Sequence, residues 1–339
     1  MSLTSVLRQD RALAVRLAGL VEPARVPRPS ELPLKAAPLT ENYSLVGTAF
    51  DYLFRFEVER LNPKAMKRQW VAETAVNLLR PVEGEGELVI REWPGVADLN
   101  AVAAEASGIL ETARLARDHY VTLRDPDRSE LEDLAGHALR LAKLDVIFRA
   151  GIIDPALGAV EPLDVRDLLN LRALVPFSTT MAPCLAEDVW LNPVFGRFST
   201  GIQGADADVI ASDLLVDIKT TKNPDLRPHL AQLLGYAMIA EAYRSEEAPG
   251  FPRIERVGAY FSRQGILVSF PLESVRSHPD YPPAFAGLMT YCNQRPLFMD
   301  EVRSQKRRPR SSPGEATTMS RTRSGRRARA PENRAKRPP

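Results

Sequence analysis

The 339-residue chain predicts an α/β fold, and three observations carry that prediction. From about 64 to 185 apolar residues recur at spacings of three and four, the pattern of packed helices. From about 187 the texture changes to short β-rich runs between turn residues, broken once by a helical pattern at 226–243. With 44% apolar and 26% charged residues, the composition is that of a globular chain able to bury a sizeable core.

In chain order, residues 1–20 read as an amphipathic helix carrying Leu3, Val6, Leu7, Leu13, Val15 and Leu17. Pro23, Pro27, Pro29, Pro33 and Pro38 make the following segment an extended arm. Residues 1–43 thus form an N-terminal helix and Pro-rich arm. Ser44 or Thr48 can cap a helix running through Phe50, Leu53, Phe54, Phe56 and Val58 to Leu61, where Asn62-Pro63 stops it. In the helical block, the Gly84-Glu85-Gly86 turn and Leu88-Val89-Ile90 predict one small strand. Strands follow at 189–191, 206–210 and 214–220, then the helix at 226–243. A hairpin at 256–261 and 266–270 turns at Gln264-Gly265, and a last helix spans about 283–294.

The formal charge of +2 hides a division. Residues 303–339 hold 13 Lys/Arg against Glu315 and Glu332, leaving 32 basic and 41 acidic side chains before them. With almost no large apolar residue, that tail is expected to be disordered and to attract phosphates without sequence preference, in a salt-dependent way. It has no aromatics for base stacking.

Several classes are excluded. No apolar run approaches the roughly 18–20 residues of a membrane span, so no membrane partner is expected. Met1-Ser-Leu-Thr-Ser lacks the features of a secretion signal. Two cysteines, Cys184 and Cys292, cannot build a disulfide framework or a four-Cys zinc or iron–sulfur site. A reducing cytoplasm is the expected setting. There is no Walker-type phosphate loop, and no signal for oligomeric state.

The chemistry concentrates in one stretch, Gly204-Ala-Asp-Ala-Asp208-Val-Ile-Ala-Ser-Asp-Leu-Leu-Val-Asp217-Ile-Lys219. Read as a hairpin turning at Ser212-Asp213, it sets Asp208 opposite Asp217, with Lys219 two residues on and therefore on the same face. Ala207, Val209, Val216 and Ile218 then form the buried face. Opposed carboxylates repel by up to about 1 kcal/mol in a sheet pair. A divalent cation between them removes that cost, and Mg²⁺ or Mn²⁺ suits such a site. Lys219 is placed to orient or deprotonate an attacking water. Only eight of the 45 basic residues are lysines, which makes a lysine in this apolar strand informative.

Asp208 followed by Asp217-Ile-Lys219 resembles the signature of the PD-(D/E)XK nucleases. Gln232-Leu-Leu-Gly-Tyr236 is similar to the Q-x-x-x-Y motif of the RecB-type branch, with Gln232 and Tyr236 on one helix face. Gly47-Thr-Ala-Phe-Asp51 resembles that branch's first motif, except that Asp51 stands where the family has histidine. The resemblance covers about 44–62 and 187–270. It implies a restriction-endonuclease-like α-β-β-β-α-β core at about 187–270 within a domain 44–302, with a large helical insertion at about 64–185.

The resemblance also implies roles. Asp208, Asp217, Lys219 and Gln232 would be catalytic. Asp208, Asp217, the Ile218 carbonyl and Asp51 would hold Mg²⁺ or Mn²⁺, with Tyr236 beside Gln232 on the substrate side. Glu57 and Glu59 are fallback acids. The implied activity is hydrolysis of phosphodiester bonds, with DNA as the nucleic-acid partner. Two other readings stand beside it. One is a non-cutting nucleic-acid-binding or assembly module that keeps the fold; the other is an interaction protein whose helical insertion binds a protein partner. Asp206 reads as a solvated acid, Asp213 and Arg263 as turn residues, and His229 as a surface histidine.

Overall fold

The computed structural model describes residues 2–22, 33–80, 82–84, 87–89, 96, 98–175, 181–185, 188–202 and 204–293, all within the unit Met1–Pro296. The basic tail and most of the prolines of the predicted arm lie outside the described residues.

The first 20 residues form two helices, α1 (Leu3–Gln9) and α2 (Arg11–Gly19), where the pattern predicts one. Asp10 makes the break: its carboxylate accepts the Leu13 N–H at 2.9 Å and caps the second helix. Helix α3 (Tyr43–Leu61) follows, then α4 (Val71–Leu79). The single predicted strand near 88 is instead a pair, β1 (Val82–Gly84) and β2 (Glu87–Val89), joined antiparallel in a sheet of their own. Long helices α5 (Leu99–Tyr120), α6 (Arg128–Ala150) and α7 (Pro162–Leu174) complete the block, with a short α8 (Met181–Cys184). A capping box of Asp127 and Glu130 starts α6, and Gly151 at φ 68° ends it.

The main sheet contains β3 (Val189–Leu191), β4 (Val209–Ala211), β5 (Leu214–Lys219), β6 (Arg256–Phe261) and β7 (Ile266–Pro271), in that spatial order. A short α9 (Gly196–Gly201) lies between β3 and β4 in sequence. Only β5 and β6 are parallel, and that pairing requires a crossover. Helix α10 (Leu230–Glu246), entered through a 3-10 turn at Arg227–His229, supplies it. Helices α11 (Glu273–Arg276) and α12 (Tyr281–Cys292) end the described chain. The fold is therefore mixed α/β, and no described helix is long and apolar enough to cross a membrane.

Two apolar layers bracket the sheet. Val209, Val216, Ile218 and Tyr260 share one core with Phe50 and Phe54 of α3 and with α4–α7. Leu215, Val257 and Phe261 share the other with α1, α2, α10 and α12. Eleven of the 19 residues of α3 are buried, with residues 52–59 buried without a break, so its aromatic run is explained by burial on several sides. Leu3 packs so closely on Gly235 that a methyl group there would lie 3.0 Å from it. The first helix is thus a working layer of the fold.

Arg263 departs from its reading as a turn residue. It is fully buried, pairs with Asp167 of α7 at 2.9 and 3.1 Å, and donates to the Ala36 carbonyl at 3.2 Å. Its own carbonyl accepts the Lys35 and Ala36 amides. One residue thereby clasps the end of the arm, the β6–β7 turn and the helical block.

Candidate active site

The hairpin that carries the candidate residues has the predicted register. Val209 faces Val216, Ile210 faces Leu215 and Ala211 faces Leu214, with Ser212-Asp213 as the turn. Ser212 has φ 55° while Asp213 does not, the pattern of a II′ hairpin turn with positive φ at its first central position. Asp213 is fixed by Arg256 at 2.7 and 3.0 Å.

The ladder stops at Val209, and Asp208 sits in a bend rather than continuing the strand. Its carbonyl accepts the Asn192 amide at 2.9 Å, and its carboxylate turns to accept the Ile218 amide at 2.5 Å. The simple picture of Asp208 on the sheet face directly across from Asp217 is corrected accordingly. Asp208 caps the open end of the β4–β5 ladder, where residue 207 would otherwise have paired with Ile218. Ala207 has correspondingly moved to the core on the other side of the sheet from Val209. In an antiparallel ladder the N–H and C=O of one residue face the same neighbour. The Ile218 carbonyl therefore faces the same edge as the Asp208 carboxylate.

Asp217 and Lys219 share a face, as alternation requires. Asp217 is buried, and the Lys219 ammonium lies 2.5 Å from its Oδ2. That contact is a short ion pair, and this buried oxygen has no partner besides Lys219 among the described residues. Lys219 Nζ also donates to Gln232 Oε1 at 3.2 Å, and Gln232 Nε2 donates to the Tyr236 hydroxyl at 3.1 Å. Helical spacing puts Gln232 and Tyr236 on the sheet-facing side of α10, so the glutamine hands the lysine a neutral acceptor. Tyr236 is buried behind it. Gln232 also donates to Thr4 Oγ1 at 3.4 Å; Thr4 is a site neighbour that no motif signals.

Asp51 comes from the opposite direction, on α3. Burial pushes its carboxyl up to about 6; Arg55 and Arg149 pull it down, and the charges of Asp217 and Asp206 add to the rise. Asp208 is raised well above the ordinary carboxylate range by burial, then by the charges of Asp51 and Asp217, against Lys219 and the Ile218 amide. For Lys219 burial works against the charged form, but the attraction of Asp217 and Asp208 outweighs it and the ammonium is held. Three carboxylates from three segments thus share one field with a single lysine among them.

A second set of residues lies behind Asp51. Arg149 pairs with Asp206 at 3.1 Å and Asp145 at 3.8 Å, and Asp145 accepts the Tyr52 hydroxyl at 2.6 Å. Asp206 is therefore an ion-pair partner rather than a freely solvated acid. Glu57 and Glu59 are buried in other networks, Glu57 with Arg60, Tyr120 and Arg172, Glu59 with Arg117 and Lys67. Both are occupied as structural counter-ions, so neither serves as a fallback ligand. His229 lies close enough to Lys219 and Asp217 to feel their charges, and burial lowers its pKa.

Among the described residues, no group of three or more His, Cys, Asp or Glu side chains is arranged to hold a metal ion. Hard Mg²⁺ needs fewer, taking one or two carboxylates with waters and other oxygens. The Asp217 carboxylate, whose Oδ2 has no partner besides Lys219 among the described residues, the Asp208 carboxylate and the Ile218 carbonyl make a set of that smaller kind. Asp51 contributes charge to this field without completing a three-carboxylate cage.

Comparison with protein-family models, curated proteins and solved structures finds no match to this chain.

Proposed function

We propose that the chain is a metal-dependent nuclease that hydrolyses phosphodiester bonds, DNA being the preferred substrate on the strength of the sequence resemblance. The observation that carries this reading is the convergence of Asp51, Asp208, Asp217, Lys219 and Gln232, from α3, the β4–β5 hairpin and α10, on one end of the sheet. With the intervening elements set aside, α3, β3, β4, β5, α10 and β6 follow one another in an α-β-β-β-α-β order, which supports the reading of a restriction-endonuclease-like core.

In this reading Asp208, Asp217 and the Ile218 carbonyl would hold Mg²⁺ or Mn²⁺, and the ion would polarise the phosphate and lower the pKa of water. Lys219 acts as a cation. Its two carboxylate neighbours hold the ammonium, which favours stabilising developing phosphate charge and orienting water over deprotonating it. Gln232 fixes the lysine's direction, and Tyr236 fixes the glutamine. The basic tail would add sequence-independent attraction to the polyanion.

A second reading, a nucleic-acid-binding or assembly module without cleavage, is favoured by one observation. Lys219 already satisfies Asp217, and the described residues hold no three-ligand set. Incubating the protein with single- and double-stranded DNA and RNA, in Mg²⁺, Mn²⁺ or EDTA, separates the two. Cleavage in metal and none in EDTA supports the nuclease; retention of nucleic acid with no cleavage in either metal supports the binding module.

A further inference from the structure

Arg55 is the most unusual charged residue near the site. It lies one helical turn after Asp51 on α3 and is only 6% exposed. Its Nε donates to the Asp51 carbonyl at 3.0 Å, and its guanidinium carbon stands 4.5 Å from the centre of the Tyr52 ring. These two contacts fix the plane of the group. Yet its Nη1 is buried with no hydrogen-bond acceptor. Buried donors are almost always satisfied, so an unsatisfied one in a fixed, charged group calls for a reason.

The charges around Arg55 supply it. The acids that act on it are Asp51, Asp145 and Asp208, with Tyr52 also contributing. Asp145 already has the Tyr52 hydroxyl and Arg149 as partners. Arg149 itself is half exposed and engaged by Asp206 and Asp145. Among the described residues Arg55 has no such carboxylate partner, and the charge that acts on it most strongly is that of Asp51, followed by Tyr52, Asp145 and Asp208. Asp51 and Asp208 in turn have Asp217 beside them, and their mutual repulsion is what a bound cation would relieve.

We propose that Arg55 is a positioning residue that sets how strongly the acid cluster attracts a divalent cation, acting as its built-in counter-charge from the helical side. This rests on the nuclease reading for its purpose but not for its measurement. With Arg55 present the cluster holds together without metal, and the cation binds loosely enough to exchange with substrate and product. Removing the positive charge makes the cluster a stronger but less ordered cation trap.

The test is Mn²⁺ binding to the purified full chain, by electron paramagnetic resonance of free Mn²⁺, for wild type, Arg55→Met, Arg55→Lys and Asp217→Ala. Arg55→Met should bind Mn²⁺ more tightly, on the order of three- to tenfold, while Arg55→Lys, which keeps the charge, stays within about twofold of wild type. Where Arg55→Met does not fold, as judged by circular dichroism, Arg55→Gln takes its place. Unchanged or weaker Mn²⁺ binding in the neutral variant, with wild-type binding that Asp217→Ala abolishes, overturns the role of Arg55 alone. No Mn²⁺ binding by wild type, or binding that Asp217→Ala leaves intact, overturns the metal site and this inference with it. As a kinetic readout, maximal cleavage rate in Arg55→Met should fall while the Mn²⁺ concentration giving half-maximal rate also falls. A purely structural role would raise that concentration or leave it alone.

Discussion

The Ile218 amide donates to the Asp208 carboxylate at 2.5 Å, so a side chain completes the ladder where the backbone of β4 leaves off. The contact joins two demands in one residue. Asp208 stops the strand, and it places its carboxyl beside Asp51 and Asp217, where burial first and then their charges raise its pKa. Asparagine at 208 should keep the acceptor and lose the charge. Asp208→Asn is therefore expected to fold and to be at least as stable as wild type at neutral pH, while losing divalent-cation binding. Urea denaturation at pH 7.5 checks the stability, and lower stability than wild type would contradict it.

Glu57 gives the fold an acid-sensitive joint. Burial pushes its carboxyl up, but hydrogen bonds from Arg60 and Tyr120 and the charge of Arg172 outweigh burial and bring it below the ordinary glutamate value. The stabilisation is present above the unfolded-state pKa and is lost as pH falls through the lowered folded value. Glu57→Gln leaves three polar partners around a neutral group and should cost about 3–5 kcal/mol at pH 7. The difference from wild type should shrink toward pH 3, as seen by chemical denaturation across that range.

Asp145 has the opposite sign. Burial pushes it up to about 6, against Arg149, the Tyr52 hydroxyl and Arg55. Its contribution is favourable at low pH and is lost as pH rises from about 4 through 6, amounting to up to about 3 kcal/mol for a shift of that size. Asp145→Asn can still accept the Tyr52 hydroxyl. It should flatten the pH dependence of stability between 4 and 6 and be no less stable than wild type at pH 7.5, readable as melting temperature against pH.

The Arg263–Asp167 pair has neither partner exposed. Removing one partner strands a buried charge, so Arg263→Met or Asp167→Leu alone should each cost about 3–5 kcal/mol. The double variant should recover most of the loss. A double-mutant cycle by denaturation measures the coupling, and additive losses would contradict a direct pair.

How much of this was legible in the sequence depends on the range of the interaction. The β4–β5 register was readable because alternation and a two-residue turn are local, and Val209↔Val216 follows from counting. The helix carrying Gln232 was readable from spacing, whereas the parallel pairing of β5 with β6 that α10 bridges emerges only in the structure. The bend at Asp208 was not, because it involves the Asn192 amide reaching its carbonyl from the bend that follows β3. Arg263 read as a turn residue because its partner Asp167 is 96 residues away. Arg55 gave no signal at all: an arginine in an aromatic helix shows its unmet donor only once Tyr52, Asp51 and Asp208 are around it. Similarly, Thr4 meets Gln232 across 228 residues of chain.

The nuclease proposal stands or falls on Asp217 and Lys219 acting together in metal-dependent hydrolysis. Its most direct test is single-turnover cleavage of a DNA substrate over a Mg²⁺ titration, comparing wild type with Asp217→Ala and Lys219→Ala. Wild type should cleave in a metal-dependent way, each variant should be slower by at least about 100-fold, and Asp217→Ala should also lose its response to Mg²⁺. Wild type that cuts nothing at any Mg²⁺ concentration, or variants that cut as fast as wild type, would contradict it.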